Sequence, residues 1–171
     1  GLGDVYKRQI KKLTNDVQEV SKFTGFDEMM DGRVKTLHPK IHAGILAKRD
    51  SDLNILKKKG YKEIDLVIVN LYPFKETIAS NCTFEEAIEK IDIGGPAMIR
   101  SAAKNFKDVV VISDPNDYSR LVEEWKNQDG ISYEFRKELS QKVFQLMADY
   151  NLSISNYMKE ISVNYHQYNF E

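Results

Sequence analysis

The 171-residue sequence contains little cysteine, tryptophan or proline, with one, one and four of each. The single cysteine, Cys82, excludes an internal disulfide framework and a cysteine-rich zinc site, and it favours a reducing cytoplasm as the compartment. An excess of one charge is also lacking, since 25 basic residues stand against 26 acidic ones. That balance argues against a dedicated nucleic-acid-binding protein, which normally carries a basic face.

Long apolar segments are missing as well. No run approaches the roughly 20 residues that a membrane-spanning helix needs, and no secretory pattern opens the chain. The overall composition is that of a globular protein, with 42% hydrophobic and 11% aromatic residues. A chain of this length buries roughly two thirds of its unfolded surface, which is enough for one domain.

Segments of strand and helix character alternate from Ile10 onward. Two β-rich apolar runs, residues 65–71 and 108–113, predict strands buried on both faces, and residues 16–20 and 42–47 are interpreted as shorter strands. Capping residues, terminal glycines and apolar spacing predict helices near residues 53–59, 84–91, 94–104, 115–130 and 132–161. In the last helix the apolar stripe consists of Phe135, Leu139, Phe144, Met147, Tyr150, Ile154, Tyr157 and Ile161. This alternation predicts an α/β domain layered around a mainly parallel sheet.

Two places in this scheme suit a ligand. Parallel sheets bind ligands outside the carboxyl ends of their strands, where Asn70, Leu71 and Tyr72 follow the first long apolar run. The segment from Asp92 to Gly95 precedes a helix, and the free N–H groups of a helix start can hold an anion or a developing oxyanion. A plain helix cap is the alternative interpretation of that segment.

Basic side chains indicate what such a ligand carries. In an extended segment Arg33 and Lys35 project to the same side, and together with Thr36 they suit a phosphate or a carboxylate. The alternative is a solvated charged loop. Lys104 ends the helix that begins near Gly94, and a lysine there usually complements the helix dipole.

Two histidines, His38 and His42, stand four residues apart, a spacing that binds metal ions on a helix. Pro39 argues against that geometry, because the residue before a proline is pushed towards an extended conformation. No acidic or cysteine partner lies nearby to complete a ligand set. We therefore expect no metal site.

Three long segments carry a family resemblance in their order along the chain. They are TGFDEMMDGRVKTLHPKIHAGILAKRD, DLVIVNLYPF and IDIGGPAMIRSAAKN, and ADYNLSISNYM follows them in the last predicted helix. Together they closely resemble the IMP cyclohydrolase domain of the bifunctional purine biosynthesis proteins, over about residues 10–161.

The resemblance implies a three-layer α/β/α domain of the methylglyoxal-synthase-like fold. It also implies the last step of de novo purine synthesis, in which formamidoimidazole carboxamide ribotide loses water and becomes IMP. In the family this step needs no metal and no organic cofactor, whereas formyl-tetrahydrofolate serves a second, formyltransferase domain. The expected partners are a small nucleotide substrate and, for an intact enzyme, a second copy in a homodimer, but neither nucleic acid nor a membrane.

By resemblance, Lys35, Tyr72, Asp92 and Lys104 match the family's catalytic positions. Asp92 would accept the proton of the attacking carboxamide nitrogen, and Lys104 would supply a proton or a countercharge. Lys35 and Tyr72 would polarise the formyl oxygen and assist its departure as water. The family's positions around the substrate are matched by Arg33, Thr36, Asn70, Ile93 and Gly94.

The chain departs from the family at both ends. Residues 1–9, GLGDVYKRQ, resemble no part of the family and are interpreted as a leader from a tag or an assembly junction. The family's first strand and Gly-rich loop, which contribute to its phosphate site, are not recognised. Residues 162–171 are interpreted as the start of a linker to a formyltransferase domain. We therefore expect residues 10–161 to form a partial domain with weak activity, or none, by itself.

Two other functions occur on the same fold. One is a regulatory nucleotide-binding module without turnover, in which we expect the combination of Lys35, Tyr72, Asp92 and Lys104 to be incomplete. The other is methylglyoxal synthase, a lyase of a triose phosphate whose carboxylate base belongs to a different motif. The presence of all four side chains favours the cyclohydrolase.

Overall fold

The computed structural model describes residues 8–71, 74–80, 82–126 and 130–160. Its helices are α1 (Val20–Thr24), α2 (Pro39–Leu46), α3 (Leu53–Lys59), α4 (Phe74–Ala79), α5 (Phe84–Glu89), α6 (Gly94–Lys104), α7 (Tyr118–Lys126) and α8 (Tyr133–Glu160). Residues 8–11 are also helical, and a 3-10 helix, Pro115–Asp117, leads into α7. The strands are β1 (Leu66–Ile68), between α3 and α4, and β2 (Val110–Ile112), after α6. Residues 1–7 of the predicted leader and residues 162–171 of the predicted linker lie outside the described residues.

The two strands form a parallel sheet in direct register, with Val67 opposite Val111. A hydrogen bond from Val69 N to Ile112 O (3.0 Å) continues the pairing beyond β1. The α/β architecture and the parallel pairing predicted from the sequence are confirmed, and β2 is buried throughout as expected. The prediction that β1 is buried on both faces is wrong, because Ile68 is 47% exposed. Both α6 and α8 pack against β2, whereas α6 is the main helix on β1, so β1 has less cover.

The two predicted short strands are wrong. Residues 42–46 of this run belong to α2, in which Ile41 and Ile45 stand one turn apart and are both buried, and Ala47 is the extended C-cap of the helix. Residues 16–20 lead into α1. A short apolar run fits one face of a buried helix as well as a strand, so its periodicity does not distinguish the two. The predicted helices after residue 50 are confirmed, with ends that differ by a few residues.

Helix α6 is the element around which the others pack. It contacts α2, α8 and both strands, and its inward residues Ile99, Ala102 and Ala103 have no exposed surface. Because the distance between packed helices depends on the side chains at the contact, two alanines let α6 approach its neighbours closely.

The long helix α8 closes the core with residues three or four positions apart. Its buried row consists of Phe135, Leu139, Val143, Met147 and Tyr150. The predicted stripe contained Phe144 instead of Val143, but Phe144 is 44% exposed, since each helical residue turns about 100° from the last and only one of two neighbours faces the core. Neither α8 nor any other helix in the described part of the chain is long and apolar enough to cross a membrane.

A buried amide joins α2 to the carboxyl end of α6. Asn105, which follows α6, is only 9% exposed, and its Nδ2 donates to Ile45 O (2.8 Å) and Ala47 O (3.2 Å). Nearby, Arg49 Nη2 donates to Ile64 O (2.9 Å) just before β1. These bonds give hydrogen-bond partners to backbone carbonyls at the end of α2 and just before β1.

A pair of leucines on α8 tests this packing. Leu139 is 1% exposed and Leu152 is 58% exposed. We expect Leu139→Ala to lower the free energy of unfolding by about 2–5 kcal/mol, because it removes buried surface and leaves a cavity. Leu152→Ala on the same helix is expected to change it by less than about 0.5 kcal/mol. Urea unfolding followed by circular dichroism measures both, and equal effects would contradict this placement of α8.

Candidate active site

Most of the site residues predicted from the sequence line one cavity of about 720 Å³. One wall is the loop at residues 31–36, and the other runs from Ile88 into the first turns of α6. Val69 also lines the cavity directly after β1, so the cavity opens at the carboxyl end of the strand, where a parallel sheet binds its ligands. The predicted residues in this lining are Arg33, Lys35, Thr36, Asp92, Ile93 and Gly94.

The loop wall is a tight hairpin with an unusual backbone. Met29 and Val34 form an antiparallel bridge in which Met29 N donates to Val34 O (3.0 Å). Between them Met30, Asp31 and Gly32 have positive φ angles of 55°, 55° and 86°. Only glycine adopts this region freely, so Met30 and Asp31 store strain of about 1–3 kcal/mol each. Such strain concentrates at ligand sites, where the surrounding structure must hold it in place.

Asp92, on the helix wall, is fixed from two directions. Its Oδ1 accepts a hydrogen bond from Gly95 N (3.0 Å), and its backbone N–H donates to the Tyr150 hydroxyl of α8 (2.8 Å). A Cβ atom at position 95 would overlap the Asp92 carboxylate and lie 2.9 Å from Leu71 Cδ2, so the bond requires glycine there. The carboxylate therefore caps the start of α6 and also lines the cavity. The two interpretations of this segment made from the sequence, a helix cap and a place that suits a ligand, are thus compatible.

The two walls meet where Thr36 approaches Gly94. A methyl group on Gly94 would overlap Thr36 Oγ1, so only glycine lets the loop come this close to the helix start. Ile93 stands beside this contact with a side chain that is 59% exposed. The contact places the Thr36 hydroxyl group next to Gly94, and both this hydroxyl and the Gly94 N–H are donors for an anionic ligand.

Both cations of the loop have a carboxylate partner. Lys35 Nζ donates to Glu28 Oε2 (2.6 Å), and Arg33 Nε lies 3.9 Å from Glu89 Oε1. The four side chains are between 47% and 62% exposed, so each pair is well solvated. Site roles for Glu28, Glu89 and Tyr150 were not predicted from the sequence, because these roles depend on hairpin register and helix packing that residue spacing does not reveal.

Asn70 and Lys104 are not among the described residues that line the cavity, and the position of Tyr72 relative to it is not described. Asn70 is exposed, and its Nδ2 donates to the Tyr118 hydroxyl (3.2 Å). Lys104 is exposed on the last turn of α6, about 15 Å along the helix axis from Gly94. Tyr72 lies outside the described residues. The roles that the family resemblance implies for these three residues stay predictions.

The two histidines have separate partners. His38 is extended (φ −133°), its Nδ1 accepts from Lys40 N (3.1 Å), and Pro39 then begins α2. His42 Nδ1 lies 3.0 Å from Ser101 Oγ, and burial lowers the pKa of His42. No group of three or more His, Cys, Asp or Glu side chains is placed to hold a metal ion among the described residues.

A second cavity, of about 590 Å³, lies between the segment after β2 and α8. Its lining includes Asp114, Glu138 and Lys142, and Lys142 Nζ is paired with Asp117 Oδ1 at 2.6 Å. None of the predicted site residues lines it. We assign the candidate site to the larger cavity, because that cavity brings together two cations, a capped carboxylate and the start of a helix.

Known proteins that are similar to this chain match most of its length. The family model of MGS-like domains matches residues 8–97, and that of the AICARFT/IMPCHase bienzyme matches residues 102–171. Similar relatives are the bifunctional purine biosynthesis proteins PurH of Clostridium kluyveri (58% identical over 150 residues), Fusobacterium nucleatum (54% over 158) and Clostridium perfringens (51% over 168). These alignments cover 85%, 91% and 97% of this chain but 30%, 31% and 33% of those proteins, so the chain spans about a third of their length. The crystal structure of ForH is similar with a TM-score of 0.71 and 33% identity, covering 86% of this chain and 79% of that one.

A pH titration tests the bond between α8 and Asp92. Burial raises the pKa of the Tyr150 hydroxyl above its ordinary value of 10.0. The unfolded chain therefore releases this proton at a lower pH than the folded protein, so the stability that Tyr150 contributes is present below about pH 10 and is lost as the pH rises further. We expect Tyr150→Phe to lower the unfolding free energy by about 1 kcal/mol at neutral pH. The variant should also lose less stability than the wild type above about pH 10.

Tyr133 supplies the control for this titration, because it lies on the same helix and is 49% exposed. Tyr133→Phe is expected to leave both the neutral-pH stability and its loss at alkaline pH unchanged. Urea unfolding at a series of pH values measures all three proteins. If the wild type and Tyr150→Phe lost the same amount of stability as the pH rises above about 10, the raised pKa of Tyr150 would be contradicted.

Proposed function

Because the chain belongs to the MGS-like domain family, with its C-terminal part in the AICARFT/IMPCHase bienzyme family, we propose that it closes the purine ring of IMP. The substrate is formamidoimidazole carboxamide ribotide, and the product is IMP plus water. The observation that carries the proposal is the cavity itself, which places the Asp92 carboxylate opposite the basic side chains Arg33 and Lys35.

The first half of the reaction forms the bond between the carboxamide nitrogen and the formyl carbon. An amide nitrogen is a poor nucleophile, so a base must accept its proton as the bond forms. We assign this role to Asp92. Its Oδ1 is engaged by the Gly95 N–H, which orients the carboxylate and leaves Oδ2 to accept the proton.

The second half removes the formyl oxygen as water. As the C–N bond forms, this oxygen gains negative charge, and preorganised donors stabilise it. Lys35 and the Gly94 N–H at the start of α6 are the donors that we assign, because the Gly95 N–H is bonded to Asp92 and Pro96 has no N–H. The oxygen takes up two protons in all and leaves as water. They equal the two protons that the substrate gives up, one from the carboxamide nitrogen as it attacks and one from the formamide nitrogen as it forms a double bond to the formyl carbon, and the ring becomes aromatic.

The other parts of the proposal concern binding. Arg33 and Thr36 suit the phosphate or another anionic group of the ribotide. The scheme needs no metal ion and no organic cofactor, and the small nucleotide is its only required partner. We assign no step of the reaction to Lys104, because it lies at the opposite end of α6 from Gly94. We also propose the cytoplasm as the compartment, which the low cysteine content favours.

Asp92→Asn is the decisive variant. An asparagine keeps an oxygen that accepts the Gly95 N–H, so the start of α6 should be preserved while the base is lost. We expect the purified chain to form IMP slowly, and Asp92→Asn to reduce that rate by about 10²–10⁴-fold with little change in thermal stability. Chromatography of the product over a buffer blank measures IMP.

Asp149→Asn is the matched control, because Asp149 is an exposed carboxylate that lines the second cavity. Its rate of IMP formation should equal that of the wild type. Equal rates in the wild type and Asp92→Asn, or no IMP from the wild type at saturating substrate, would contradict the proposal. Lys104→Leu in the same assay tests the catalytic role that the family resemblance implies for that lysine.

A further inference from the structure

We infer that Glu28 is a positioning residue for Lys35, holding its ammonium group at the mouth of the cavity in the orientation that the reaction uses. The inference rests on the proposed function, because it assigns Glu28 a part in the same ring closure. Glu28 itself is not among the residues lining the cavity. Its direct polar contact with a cavity-lining side chain is the 2.6 Å bond to Lys35.

The hairpin register favours this pairing. The bridge between Met29 and Val34 fixes which residues face each other across the two arms. One step further from the turn, Glu28 stands opposite Lys35, and opposed residues on antiparallel arms bring their side chains together. The strained turn therefore keeps the carboxylate and the ammonium in reach of each other.

The exposure of the pair argues that it orients Lys35 and contributes little to the stability of the fold. The Lys35 and Glu28 side chains are 47% and 54% exposed, and solvated pairs of this kind stabilise proteins very little. A lysine side chain is long and loses much rotamer freedom when it is held in one place. One bond to Glu28 selects a rotamer and uses one of the three ammonium donors, which leaves two for a ligand.

The neighbouring cation shows that this contact is specific. Arg33 and Glu89 approach no closer than 3.9 Å, and Arg33 Nε donates instead to Met30 O (3.1 Å). Lys35 is thus the cation of the loop that is held by a short carboxylate bond. In the proposed reaction Lys35 faces the formyl oxygen, where orientation matters most to the rate.

Glu28→Gln tests the inference with two readouts. Glutamine keeps the size of the side chain and removes its charge. If Glu28 orients Lys35, kcat for IMP formation should fall by about tenfold while KM does not rise, because a misplaced reacting group slows the chemical step. Glu28→Asp keeps the charge and should recover part of kcat. A rise in KM with kcat unchanged, or tighter binding with kcat unchanged, would overturn the inference.

The second readout needs no turnover. Carbon-13 relaxation at Cε in lysine-labelled protein reports how ordered each lysine is, and the Lys35 signal should lose order in Glu28→Gln. Asp50→Asn is the control, since it removes the exposed 3.1 Å partner of Lys107 beyond the other end of α6 and should leave Lys35 unchanged. If Lys35 is as mobile in the wild type as in Glu28→Gln, the inference is wrong.

These readouts separate the two claims. No IMP from the wild type would defeat the proposed function, while the relaxation data would still decide whether Glu28 orders Lys35. A structural role for Glu28 would shift the backbone amide signals of residues 29–34 and lower the melting temperature. That outcome would also overturn the inference, because orientation alone leaves the hairpin intact.

Discussion

The burial of α6 is the constraint on which the rest of the structure depends. Ile99, Ala102 and Ala103 are fully enclosed by the strands and by α8, so the second half of the helix cannot shift without opening the core. A helix is rigid over this length, and fixing that half therefore fixes the direction of the N–H groups at its start. The site inherits its precision from apolar packing about one and a half to two and a half helical turns away from it.

A single polar contact extends this precision to the residue before the helix. The Tyr150 hydroxyl, on a side chain otherwise packed in the core, accepts the backbone N–H of Asp92. The same aspartate then caps α6 through the Gly95 N–H. The carboxylate is thereby held by the core on one side and by the helix on the other, which is the preorganisation that charge stabilisation in a reaction requires.

The opposite wall of the cavity is held by different interactions. The hairpin carrying Arg33 and Lys35 contributes no residue to the buried core, and local hydrogen bonds, solvated ion pairs and the close approach of Thr36 to Gly94 hold it. Interactions of this kind add little to stability, but they set orientation. One wall of the cavity is therefore held by buried apolar packing, and the other by the pairing register of the hairpin. An anionic ligand would contact both walls.

The sequence by itself determined the class of fold, both parallel strands, every helix after residue 50 except α4 (Phe74–Ala79), and the segments that line the cavity. Capping boxes, terminal glycines and β-rich runs are local signals, and the three family segments contain Lys35 and Asp92 directly. Tertiary structure alone decided that residues 42–46 are helical, that Val143 and not Phe144 enters the core, and that Ile68 is exposed. It also decided which carboxylates meet the loop cations and that Lys104 stands a helix length away from Asp92. Burial, strand register and helix rigidity are properties of the assembled chain, and residue spacing along the sequence does not encode them.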